Sequence, residues 1–131
     1  MSRINWLEVL GWTEEQLEDI RLAGYSYILQ GKYDIALPLF EALCTFDPES
    51  AYDLQTLGAL YLQLSEPEKA LKTLDKALKI EGDHAPTLIN LTKALFMVGR
   101  THEALKLCEI LAKEPDPFVA NMAKALLLAY G

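Results

Sequence analysis

The sequence predicts an all-α fold: a solenoid of three stacked helix pairs with an N-terminal extension and a C-terminal capping helix. Three observations carry this reading. From Gly31 to Pro48 the spacing puts Ala36, Phe40 and Leu43 on one helix face, since residues three and four apart stack on the same side. Gly31 sits where one helix must stop and Pro48 where the next must end. The unit then recurs. A slide of 34 residues puts Gly24 over Gly58, Tyr27 over Tyr61, Ala36 over Ala70 and Leu43 over Ala77. A second slide puts Leu57 over Leu91, Leu62 over Phe96, Ala70 over Ala104 and Leu78 over Ala112.

A 34-residue period with small residues at the helix crossing and Ala at the start of the second helix is the tetratricopeptide pattern. The chain resembles that family over about residues 17–131. We divide one domain, 1–131, into an extension (1–16), three repeats (17–50, 51–84, 85–118) and a capping helix (119–131). The resemblance implies a right-handed superhelix. Repeat one matches best. Repeat two has Pro67 for the turn aromatic and Gly82 for the terminal proline. Repeat three has Thr92 for the crossing glycine and Asp116, between Pro115 and Pro117, at the terminal position.

Residues 4–12 are apolar on more than one face, and Gly11 ends a first turn or two of helix. Thr13 followed by Gln16 has capping-box spacing and opens a helix over about 14–30, with Leu17, Ile20, Gly24 and Tyr27 on its core side. Trp6 and Trp12 are expected to pack on that helix; their alternative role, with Leu7 and Leu10, is a dimer or partner contact. The second helix, about 34–46, carries Pro38 near its first turn, where a slight bend is expected. Helices follow at about 51–64, 67–80, 85–98 and 101–113, with Ser65 as a cap and Pro67 at a first helical position. The last helix, about 118–130, places Phe118, Met122, Ala125, Leu126 and Ala129 at helical spacing and covers the end of the array.

Lys+Arg 12 against Asp+Glu 19 gives a net charge of −7, which repels phosphate backbones and anionic lipid, so no nucleic-acid partner is expected. The longest apolar run near the end, residues 125–130, is too short to span a bilayer, and no membrane insertion is expected. Glu8 interrupts the apolar N-terminal stretch and no cleavage site follows, so we expect a cytoplasmic protein with Cys44 and Cys108 as buried, reduced thiols. No cofactor, metal site or catalytic residue is expected. His84 and His102 lack ligand-spaced partners and read as surface residues, no nucleophile elbow or phosphate loop is present, and Asp47, Glu49 and Asp53 favour a helix macrodipole.

In the tetratricopeptide family the concave wall comes from set positions of each repeat. Carried onto this chain they give Glu18, Arg21, Tyr25, Ile28 and Leu29 in repeat one. Repeat two contributes Tyr52, Gln55, Ala59, Leu62 and Gln63, and repeat three Pro86, Ile89, Lys93, Phe96 and Met97. The last helix adds Ala120, Ala123, Leu127 and Tyr130. From these we select Tyr25, Ile28, Leu29, Tyr52, Gln55, Leu62, Ile89, Lys93, Phe96 and Met97 as the peptide-binding groove. Exposed apolar side chains on a concave face mark a binding site. The carboxylate-gripping positions of chaperone-tail-binding relatives hold Arg21, Tyr25, Thr56, Pro86 and Asn90 here, and only Arg21 could serve.

The phrase Gly31-Lys32-Tyr33-Asp34-Ile35-Ala36, then Phe40, Leu43-Cys44, Asp47 and later Leu57-Gly58-Ala59, resembles the class II chaperones of bacterial type III secretion, the LcrH/SycD family. The resemblance implies a cytoplasmic chaperone that keeps an extended or helical segment of a translocator in its groove, and homo- or heterodimerisation through N-terminal helices. The shorter N-terminal region and modified second repeat depart from that pattern, and the length also fits a chaperone of the needle subunit or another export component. The competing class is a scaffold bridging folded protein partners.

Overall fold

The computed structural model describes residues 6–131, with side chains from Glu8 onward. Eight helices are found among them: α1 (Trp6–Leu10), α2 (Glu14–Leu29), α3 (Tyr33–Phe46), α4 (Ala51–Gln63), α5 (Pro67–Ile80), α6 (Ala85–Met97), α7 (Thr101–Leu111) and α8 (Pro117–Tyr130). The pairs α2–α3, α4–α5 and α6–α7 are the three repeats. Each helix packs on its neighbour along the chain, while α4 also reaches α6, and α6 reaches α8. This is the predicted all-α solenoid.

Each repeat closes its first helix the same way. At the 15th position the backbone turns left-handed, at Gly31 (φ 74°), Ser65 (φ 59°) and Gly99 (φ 85°). The next amide then donates back five residues, from Lys32 to the Tyr27 carbonyl, Glu66 to Tyr61 and Arg100 to Leu95 (2.8–2.9 Å). These are Schellman caps, which satisfy carbonyls the helix end leaves free. Ser65 is therefore not the helix-starting cap that was expected. The N-cap of α5 is Glu66, which makes no side-chain cap bond. The capping box of α2 is complete, with the Thr13 amide donating to Gln16 Oε1 (2.9 Å) and the Gln16 amide to Thr13 Oγ1 (3.2 Å).

Ala36, Ala70 and Ala104, one at the equivalent point of each repeat, are fully buried. Where the paired helices cross, side-chain volumes are complementary. A Cβ on Gly24 would lie 2.6 Å from Phe40 Cε2, and one on Gly58 would overlap Leu74. Repeat three shares the volume between two side chains of middling size: fully buried Thr92 replaces the glycine, its Oγ1 donates to the Leu88 carbonyl (2.7 Å), and the equivalent facing position holds buried Cys108. Close packing leaves room for one large side chain or two middling ones at each crossing.

Two expectations fail by a rotation or a neighbour. Helix α8 buries Val119, Ala120, Ala123 and Leu126, not the Phe118–Met122–Ala125–Leu126–Ala129 set, of which only Leu126 is inward. The periodic pattern holds two apolar stripes, and contact with α6 and α7 selects the one with small residues, which allows close approach. Trp12 packs edge-on against Phe46 of α3 (centroids 4.9 Å apart), not on α2. The side chains of Trp6 and Leu7 lie outside the described residues. Pro38 is accommodated within α3.

Candidate functional site

Helices α2 and α4 begin successive repeats, yet no Cα of one lies within 8 Å of the other. The gap between them is the groove. It has a volume of about 430 Å³, in the range of small ligand and peptide-side-chain sites. Tyr25, Ile28 and Leu29 of α2 and Tyr33 of α3 form one side. Tyr52, Gln55, Thr56, Ala59 and Gln63 of α4, spaced along one helical face, form the other. His84, Pro86, Thr87 and Asn90 close the end at α6.

The groove bears no Lys, Arg, Asp or Glu. Tyr25 (46%), Tyr52 (45%) and Leu29 (77%) remain well exposed, although each carries a large apolar surface. Burial raises the Tyr52 phenol above its usual range, and neighbouring Tyr25 adds to the effect. His84 is half-buried, contrary to its reading as a surface residue, and its Nδ1 lies 2.6 Å from Thr87 Oγ1. An apolar, hydroxyl- and amide-bearing groove can bury uncharged side chains and hydrogen-bond a backbone. A carboxylate entering it would lose water without gaining a cation.

Arg21, the one residue that could have gripped a terminal carboxylate, is occupied. Its Nε and Nη2 donate to Asp53 Oδ1 and Oδ2 (both 2.7 Å), and Nη1 donates to Glu18 Oε2 (2.5 Å). The Asp53 side chain is 0% exposed. This two-pronged pair spans α2 and α4 and sets the width of the gap. Hydrogen bonding to Asp53 raises the guanidinium further above its usual value. Asp53 is also near the start of α4, where its amide donates to the Ser50 cap (3.3 Å). The macrodipole role read from sequence was thus only part of its work.

Of the ten groove residues selected from sequence, Tyr25, Ile28, Leu29, Tyr52 and Gln55 line this cavity. Leu62 (6%), Ile89 (7%) and Phe96 (7%) are buried and do not form an exposed wall. Phe96 stacks on Tyr130 of α8 (centroids 5.2 Å apart), and Ile89 belongs to the same apolar cluster as Leu126. Leu62 lies in the core with Leu57 and Leu60. The Phe96–Tyr130 contact joins α6 to α8. Lys93 and Met97 are half-buried and outside the cavity. Sequence reasoning missed Tyr33, Thr56, Leu60, His84, Thr87 and Asn90. For Thr56, Leu60, Thr87 and Asn90 the available signal was a place beside the chosen stripe on α4 and α6; Tyr33 on α3 and His84 at the α6 N-cap had none.

Among the described residues, no His, Cys, Asp and Glu side chains gather as a group able to hold a metal, and no helix is long and apolar enough to cross a membrane.

PcrH of Pseudomonas aeruginosa, solved in complex with the chaperone-binding region of PopD, is 25% identical, with a TM-score of 0.78 over 92% of this chain and 94% of that one. The Yersinia enterocolitica type III secretion translocator chaperone SycD has a TM-score of 0.75 over 98% of this chain and 99% of that one; at 18% identity the likeness is one of fold. Human protein O-mannosyl-transferase TMTC2 is 32% identical over 99 residues, 72% of this chain but only 12% of that protein's length. The family model described as anaphase-promoting complex, cyclosome, subunit 3 matches residues 29–110. That match covers more than half of the chain, from the end of α2 into α7, so the chain belongs to this tetratricopeptide-repeat family.

Proposed function

We propose that the chain is a non-enzymatic, cytoplasmic chaperone of a bacterial type III secretion system, holding an extended or helical segment of a translocator or other export substrate between α2 and α4. The observation that supports it is the uncharged groove with Tyr25, Leu29 and Tyr52 left open to solvent. Its fold neighbour PcrH, solved with the chaperone-binding region of PopD, supports the same reading. Tyr25, Ile28, Leu29, Tyr52 and Gln55 carry the contacts. Apolar side chains of the client gain by leaving water, on the order of 1.5–3 kcal/mol for each one fully buried. The entropy lost in ordering an unfolded segment holds the affinity down and keeps release feasible. The exposed Leu10 and Trp12 are the proposed dimer or partner contact, with Trp6 and Leu7.

The test places a photo-crosslinking phenylalanine analogue at Tyr52 and, as a control, at Lys79 on α5. The reading expects Tyr52, and not Lys79, to capture a secretion substrate in the source cells, and Ala59→Trp to abolish capture. Capture of folded proteins from Lys79 alone would favour a scaffold. That second reading is supported by the match to a short part of a much longer protein.

A further inference from the structure

We propose that the opposite, convex face carries a second docking site, between α5 and α7, for an acidic segment bearing leucine-type side chains. A cavity of about 590 Å³ opens there. Its floor is apolar, from Leu71 of α5, Leu91 of α6 and Leu107 of α7. Lys72 and Lys106 stand on its rim.

The rim's other charges are already paired. Asp75 binds Lys79 (3.1 Å), and Glu103 binds Arg100 (2.6 Å). Among the described residues, no carboxylate lies within 4 Å of Lys72 or Lys106. Two ammonium groups without an ion pair thus overlook three leucines, although Lys106 also acts at a distance on Glu103. On α5, Lys69, Lys72, Lys76 and Lys79 share one face at spacings of three, four and three, with Lys69 paired to Glu66 (3.4 Å) and Lys79 to Asp75. This concentration stands out in a chain of net charge −7.

The net charge also selects the partner. Charges beyond about 8 Å are largely screened at physiological ionic strength, so a short peptide in the cavity responds to the local cations. A nucleic acid or anionic bilayer spans more surface and meets the acidic remainder of the chain. The site therefore fits a short acidic peptide whose carboxylates meet Lys72 and Lys106 while its leucines fill the floor. It differs in chemistry from the uncharged concave groove, so one molecule could hold two unlike segments at once.

The probe is a fluorescein-labelled peptide of two leucines flanked on each side by two glutamates, titrated by anisotropy and followed by amide NMR shifts. Saturable binding is expected, with shifts around Leu71 and Leu107 and an affinity that falls as salt rises. Lys72→Glu combined with Lys106→Glu should weaken binding about tenfold, as should replacing the peptide leucines with serine. Lys124→Glu, on an exposed position of α8 away from the cavity, and Ala59→Trp should leave it unchanged. Absence of saturable binding, indifference to the double reversal, shifts confined to the Tyr25–Tyr52 groove, or tighter binding to phosphatidylserine vesicles than to the peptide would overturn the proposal.

Discussion

Arg21 and Asp53, 32 residues apart, join through two 2.7 Å hydrogen bonds across helices whose backbones otherwise stay apart. The pair acts as a strut: it ties repeat one to repeat two without closing the space above it. Removing one partner from a buried pair strands the other's charge. Asp53→Ala should therefore lower stability by on the order of 3 kcal/mol in urea unfolding. A loss below about 1 kcal/mol would mean that the pair behaves like an exposed one.

The glycine at the second helix crossing should show a change of sign. Gly58→Ala gains helix propensity of about 1 kcal/mol but overpacks Leu74 by about 1–3 kcal/mol, so the wild-type background should lose stability. In a Leu74→Ala background the clash is gone and the same change should stabilise. A double-mutant cycle checks this, and equal effects in both backgrounds would refute the crossing argument.

Ser65 occupies a position where the equivalent residues of the other two repeats are glycines, with φ 59°. A side chain in that region is strained, and Ser65→Gly should raise stability by about 1 kcal/mol. Thermal unfolding would reveal the gain; a fall would show that the hydroxyl has a compensating role.

Alkaline pH should weaken the fold. Burial pushes the Cys44 thiol up to about 12 from 9.0, and the Tyr61 phenol rises too, through burial and then its bond to Glu41 (2.8 Å). The unfolded chain loses these protons first. Their contribution is therefore complete below about pH 9 and is lost as pH rises towards 12. Urea midpoints at pH 8, 10 and 11 should fall in that order, and Cys44→Ala should flatten the decline. An unchanged slope in the variant would remove Cys44 from the explanation.

The helices were legible because a fixed period repeats the same local signals three times, and one weak repeat is corrected by its neighbours. Pro67 and Thr92 break the pattern without breaking the fold, since Pro67 sits at the first position of α5 and Thr92 faces a small partner. The site was only half legible. A stripe on one helix is set by sequence spacing, which found Tyr25, Leu29 and Tyr52. Whether Leu62 or Phe96 points to solvent depends on where the next helix lies, and that is a property of the array. The Arg21–Asp53 bond was hidden for the same reason, because nothing local relates two residues in different repeats. Ser65 was hidden by its type, which reads as an N-cap until the backbone angle is known. A further consequence is that Leu62→Glu or Phe96→Glu would unfold the protein and so cannot test its groove.

The groove itself is best tested by NMR titration of the isotope-labelled chain with an uncharged peptide carrying leucine side chains, which suits the uncharged lining between Tyr25 and Tyr52. The account predicts saturable shifts at Tyr25, Tyr52, Gln55 and Ala59, abolished by Ala59→Trp with the unfolding midpoint unchanged. No saturable shifts, or shifts that persist in the Ala59→Trp variant, would contradict it.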